Sequence, residues 1–122
     1  MGRSLLSSHV LDTTLGKPAN NMEVTLQIQN THNDTDNEWV THSTHYTNAQ
    51  GRVPEFFPNT DQFPTEPMRL IFNTKKYFAT THNSTKTIYP AVYIHFQVED
   101  VYDHYHIPLL ISPYGYSTYR GS

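Results

Sequence analysis

Apolar and polar positions alternate along most of this chain, with a period of two. In residues 23–29, Val24, Leu26 and Ile28 fall on one side and Thr25, Gln27 and Gln29 on the other. That pattern predicts an antiparallel strand with one buried face. Residues 5–12 alternate as well, setting Ser7, His9 and Leu11 against Leu6, Ser8 and Val10. Further strands are expected over 39–47, 67–72 and 88–98, the last with Val92, Ile94, Phe96 and Val98 inward and Tyr93, His95 and Gln97 outward. Pro90 marks an edge or the start of that strand. Two final strands, 104–112 and 114–120, meet at Ser112-Pro113. Between the strands lie turn residues at 12–14, 16–20, 48–51 and 99–103 and an exposed polar hairpin loop at 30–38. Residues 54–66, rich in Pro and Phe, predict irregular chain that packs its aromatics against an edge. The one helix expected covers 75–81, capped by Asn73 or Thr74, with a polar loop at 82–86. Seven to eight short strands with one short helix describe an all-β chain, a single β-sandwich domain over residues 1–122.

Composition narrows the chemistry. The chain has nine Tyr and six Phe but no Cys, so a disulfide framework, a thiolate nucleophile and a thiolate metal site are all excluded. Charged residues make up 16%, against about 25% in an average globular protein. The net charge of -3 comes without any Lys/Arg run, so no nucleic-acid partner is expected. No stretch is apolar enough to span a membrane, and the start carries no secretion signal, which leaves a cytoplasmic or peroxisomal location as the expectation. Asn33-Asp34-Thr35 and Asn83-Ser84-Thr85 fit the glycosylation pattern, which has no weight without such a signal.

Within this frame, the segment from His104 to Ser122 stands out. Its odd positions Tyr105, Ile107, Leu109 and Ile111 read as core. Its even positions His104, His106, Pro108 and Leu110 combine imidazole with apolar groups, which suits a groove or subunit interface polar at its mouth. Residues 5–12 repeat the arrangement with His9 and Leu11, and Ser117 and Tyr119 share a face near the end. Imidazole can exchange a proton near neutrality, guanidinium suits carbonyls and anions, and phenol can stack on a planar ring. With no Cys and no Gly-x-Ser-x-Gly elbow, that combination favours hydrolysis by an activated water. His104-x-His106 on one face, with His9 as a third ligand, leaves zinc open as an alternative. His42-x-x-His45 does not, because positions three apart on a regular strand point to opposite faces. His32, His42, His45, His82 and His95 read as histidines with local partners only.

Four separated motifs carry a resemblance. Ser8-His9-Val10-Leu11-Asp12-Thr13 with Gly16-Lys17-Pro18-Ala19, Thr47-Asn48 with Gly51-Arg52, His104-Tyr105-His106-Ile107-Pro108-Leu109-Leu110 and the ending Ser112–Ser122 occur in order over essentially the whole chain. Together they resemble the transthyretin-related proteins, the 5-hydroxyisourate hydrolases. The resemblance implies a transthyretin-like β-sandwich that assembles as a homotetramer, a dimer of dimers, with sites in the channel between dimers. It implies a small purine-derived substrate, opened by hydrolysis of a cyclic amide on the route from urate to allantoin, and neither a metal nor another cofactor. Carried over motif by motif, the catalytic residues are His9, Arg52 and His106. Substrate binding falls to His9, Arg52, Tyr119, Arg120, Gly121 and Ser122, with His104 and Ser117 in support. Ala49-Gln50 stands where an Asp-containing turn is common in that family, which leaves this turn's geometry open.

On this reading His106 and His9 position and deprotonate water, and either could be the base. Arg52, with Arg120, holds the substrate and the developing oxyanion, while Tyr119 and the chain end close over the ring. The rival is a transthyretin-like carrier that binds a small hydrophobic ligand in the same channel without chemistry.

Overall fold

The computed structural model describes residues 4–31, 38–81 and 86–121. His32, His82, the two glycosylation tripeptides and Ser122 lie outside the described residues.

Among the described residues nine strands and one helix form, in chain order: β1 (Leu6–Asp12), β2 (Lys17–Pro18), β3 (Glu23–Gln29), β4 (Trp39–Tyr46), β5 (Arg52–Val53), β6 (Met68–Phe72), α1 (Thr74–Thr81), β7 (Val92–Phe96), β8 (Tyr105–Ser112) and β9 (Gly115–Thr118). Two of them, β2 and β5, are two-residue pieces that exceed the expected count of seven to eight. They are too short to carry a period and exist because β1 offers them an edge. One sheet runs β2-β1-β8-β9 with β5 also on β1, and the other runs β4-β3-β6-β7. β1 and β8 pair in parallel, from Leu6 against Tyr105 to Asp12 against Ile111.

The alternation read from sequence is the packing of the sandwich. Leu6, Val10, Ile107, Leu109 and Ile111 face Val24, Leu26, Leu70 and Phe72 across the core. Ser8 lies on the same buried side and donates its hydroxyl to the Ile107 carbonyl at 2.7 Å, the partner a buried polar group requires. The irregular stretch 54–66 inserts Phe56, Phe57 and Phe63 into this core. Each fully buried side chain of that size contributes about 1.5–3 kcal/mol relative to exposure.

β7 is shorter than the 88–98 expected. The chain before it is committed elsewhere: the Ile88 N–H and the Thr87 hydroxyl both donate to the Pro113 carbonyl, and Lys75 N–H donates to Pro90. Inside β7 the faces are as expected, with Val92 buried and Tyr93 and His95 exposed. Asn73 is the helix cap, its side-chain oxygen accepting Lys76 N–H at 3.3 Å, and Thr74, the first helical residue, donates to the Tyr89 carbonyl. The helix docks through Tyr77, whose hydroxyl donates to the buried Asp12 carboxylate at 2.7 Å. Asp12 in turn accepts Thr14 and Leu15 N–H groups, so one carboxylate ties α1 to the turn after β1. No described helix is long and apolar enough to cross a membrane.

Candidate active site

The outer face of β1 is the organising surface, because three strands are registered against it. Arg52 of β5 stands opposite His9. On the other side of β1, Ser7 stands opposite His106 and His9 opposite Pro108. His106 is bridged in turn to Gly121. Ser7, His9, Leu11, His106 and Leu110 are all half-buried on this face, while the residues between them are buried beneath. Arg52, His9 and His106 thus occupy neighbouring positions, although 43 or more residues separate each in sequence.

Arg52 reaches this position through a chain of local bonds. Thr47, buried, donates its hydroxyl to the Ala19 carbonyl at 2.6 Å and accepts Met22 N–H at 2.8 Å. The Asn48 side-chain oxygen accepts both Gln50 N–H and Arg52 N–H at 3.0 Å, so Ala49-Gln50 form an Asx-capped turn without an Asp. Gly51 then takes φ +77°, and its carbonyl accepts Val10 N–H at 2.7 Å. A Cβ at Gly51 would stand 2.4 Å from the Val10 carbonyl oxygen. Only glycine combines that φ with that approach.

Both site imidazoles are biased toward the neutral form. Burial and the Arg52 guanidinium lower the His9 pKa below its ordinary value, and a hydrogen bond with the backbone of Gln50 pulls weakly the other way. Burial lowers the His106 pKa as well, helped by Arg52, His104 and His9. His106 Nδ1 lies 2.8 Å from the Ser7 hydroxyl, which fixes the ring's orientation. His9 Nε2 is buried and has no hydrogen-bond partner among the described residues. A neutral imidazole with a free nitrogen beside a fixed cation is equipped to take a proton from water next to a group that holds an anion.

The remaining predicted residues divide. Gly121 lies flat on His106, its N–H donating to the His106 carbonyl at 2.7 Å. Ser117 pairs with Leu110 on the same outer face, and Tyr119, two positions on, is 60% exposed. Arg120 turns the other way. Its guanidinium lies 3.9 Å from the Tyr105 ring centroid, on the core side of β8, and bonds Asp103 at 3.1 Å and the His104 carbonyl at 2.9 Å. His104 does not converge with His106 either. Its Nδ1 bonds the Ser4 carbonyl at 2.6 Å, and it lines a separate end cleft of about 670 Å³ with Glu55, Phe57 and Asp61.

The sequence marks the 48–51 turn, but not the hold of Asn48 on Arg52, the bond of Ser7 to His106 or the contact of Gly121 with His106. Ser7 carries no signal by itself, because its partner depends on the parallel register of β1 with β8. Asn48-x-x-Gly51 is an Asx turn with a left-handed residue, and that local signal was legible.

Residues 6–121 match the model of the HIUase/Transthyretin family. The 5-hydroxyisourate hydrolase of Salmonella typhimurium is 39% identical over 121 residues, covering 99% of this chain and 83% of that protein. The solved structure of Klebsiella pneumoniae 5-hydroxyisourate hydrolase superposes with a TM-score of 0.80 at 34% identity, covering 98% of this chain and 100% of the other. Sea bream transthyretin in complex with thyroxine superposes with a TM-score of 0.82 at 25% identity, covering 95% and 93%.

Proposed function

We propose a mechanism on the premise that this chain belongs to the HIUase/Transthyretin family: it is a hydrolase that opens the ring of 5-hydroxyisourate, with His9, Arg52 and His106 as its catalytic residues. The observation that carries the reading is the register of Arg52 against His9 on β1, beside a second neutral imidazole at His106. One imidazole takes a proton from water while the water oxygen bonds to the cyclic amide carbon. Arg52 faces the oxyanion that develops there. The carbon–nitrogen bond then breaks and the leaving nitrogen takes the proton, so the net change is addition of one water and opening of the ring. His106 is oriented by Ser7, and His9 carries the free Nε2. Tyr119 and Gly121 border the substrate. Arg120 holds the terminal segment in place through Asp103 and Tyr105, Ser117 supports the site from its margin, and His104, turned into the end cleft, takes no direct part in it.

The site lies on an open sheet face, and a second copy of the chain facing it is what would enclose a small planar substrate and exclude water. On this reading the chain assembles as a homotetramer, a dimer of dimers. Among the described residues β7 and β9 each leave one strand edge unpaired, and pairing between copies there extends both sheets. The half-buried Leu11 and Leu110 on the outer face of β1 and β8 suit the contact between dimers.

The rival is a carrier of a small hydrophobic ligand on the same face, suggested by the likeness to sea bream transthyretin. A carrier has no use for two neutral imidazoles set against a guanidinium. The two readings separate when 5-hydroxyisourate is generated with urate oxidase and its decay is followed: a hydrolase accelerates the decay, a carrier does not.

A further inference from the structure

The register of β4 against β3 breaks between Leu26 and Gln27. Gln27 pairs with Thr41 and Leu26 with Ser43, so His42 is the extra residue of a β-bulge. This overturns the regular-strand argument that sent His42 and His45 to opposite faces. Both rings lie on one side of the strand, against consecutive aromatics: His42 4.9 Å from the Phe57 ring and His45 4.8 Å from Phe56, centroid to centroid.

Their nitrogens also converge. His42 Nδ1 is 3.3 Å and His45 Nε2 2.9 Å from the same atom, the Ser43 hydroxyl oxygen. Two nitrogens bound to one tetrahedral ion at about 2.1 Å stand roughly 3.4 Å apart. Here both rings present a nitrogen to one oxygen position, which puts the two donors on a common neighbour. One hydroxyl offers a single proton, so it can donate to only one of the two rings, and the second must act as a donor or go unmatched. We propose that His42 and His45, with the Ser43 hydroxyl between them, form a binding site for a late first-row divalent cation of the zinc class on the bulged edge of β4.

The donor chemistry fits such ions, since neutral imidazole suits zinc, copper and nickel. Among the described residues no group of three or more His, Asp or Glu gathers around one point, so water completes the shell. A two-imidazole site of this kind is loaded and emptied by the ion's concentration. Bound metal would pin the bulge of an edge strand to the Phe56-Phe57 segment that packs beneath it, which stabilises the fold and blocks the edge against pairing with other chains. The site uses none of His9, Arg52 or His106.

The test titrates the purified full chain with Zn²⁺ alone, following stoichiometry by calorimetry and the histidine ring resonances by NMR. The parent is expected to bind one more ion per chain than His42→Ala. The ring signals of His42 and His45 should shift together, and affinity should fall at least 10-fold in His42→Ala and His45→Ala. His42 is exposed, so His42→Ala is expected to keep the fold and the hydrolase activity, and it decides the matter alone if His45→Ala melts early. Equal stoichiometry and affinity in the parent and His42→Ala would overturn the proposal, as would Zn²⁺ shifts that leave both ring signals in place.

Discussion

Gly121 and His106 are in contact so close that any side chain at position 121 must displace one of them. A Cβ there would stand 2.6 Å from His106 Cδ2, and the backbone of Gly121 donates to the His106 carbonyl on the same residue. The terminal segment is thereby one wall of the imidazole's seat, with Ser7 on the other side of the ring. Gly121→Ala must push either the ring or the segment aside. It is expected to lower kcat/KM by about 10- to 100-fold, the scale of a misplaced catalytic group, with unchanged circular dichroism and melting temperature. Full activity in Gly121→Ala would show that the ring's position is not tuned by this contact.

The pH dependence follows from the two lowered histidines. Burial first, then Arg52, favour the neutral imidazoles of His9 and His106. The base form therefore persists below the ordinary histidine pKa of about 6.5. A profile of kcat/KM against pH is expected to rise from the acid side with an apparent pKa under that value and to stay level through neutrality. Arg52→Met removes a lowering charge, so the residual activity should titrate at higher pH than the parent's. Stability has the same sign: the unfolded chain accepts protons that the folded imidazoles resist, so stability is lost as pH falls through about 6.5.

Much of this arrangement was legible in the chain, and the reasons differ by element. β3 announced itself because Val24, Leu26 and Ile28 face a core, and burial writes its period into sequence. β4 did not reveal its bulge. It is an edge strand of Thr, Ser and His, so an inserted residue breaks no apolar period. The outer face of β8 was legible because Leu110 and His106 are out of place on a solvent face. That Arg52 would sit on β1 depends on the antiparallel pairing of β5 with β1, and that Ser7 would sit against His106 on the parallel pairing of β1 with β8, long-range pairings that no local pattern encodes. Arg120 shows the same limit. The motif brought it to the site's border, but alternation from Gly121 turns it to the core side over Tyr105.

Arg120 accordingly acts through position. Arg120→Ala removes the bond to the His104 carbonyl and the stacking on Tyr105, loosening the segment that carries Tyr119 and Gly121. Its partly exposed ion pair with Asp103 contributes little to stability, roughly 0–1 kcal/mol. The expected result is a raised KM with a smaller change in kcat and a nearly unchanged melting curve. A loss confined to kcat would instead mean that the guanidinium meets the reacting atoms.

Tyr77→Phe tests the helix anchor. The substitution removes the phenolic donor to the buried Asp12 carboxylate and keeps the ring. It is expected to cost about 1–3 kcal/mol, read from chemical denaturation, with initial rates at 25 °C unchanged.

Assembly is tested at Leu110, half-buried on the outer face beside Ser117. The parent should sediment at about four times the 14.1 kDa chain mass. Leu110→Glu places a charge in the contact between dimers and is expected to yield dimers that retain the fold and lose activity. A fully active Leu110→Glu dimer would refute a site enclosed by two copies.

The most direct measurement compares the decay of freshly generated 5-hydroxyisourate, followed by its ultraviolet absorbance, with the parent protein and with His106→Ala. The parent should accelerate ring opening well beyond the spontaneous rate, while His106→Ala, folded and assembled as judged by melting and sedimentation, should fall by at least 100-fold. Decay as fast with His106→Ala as with the parent would contradict the assignment of this face as the catalytic site.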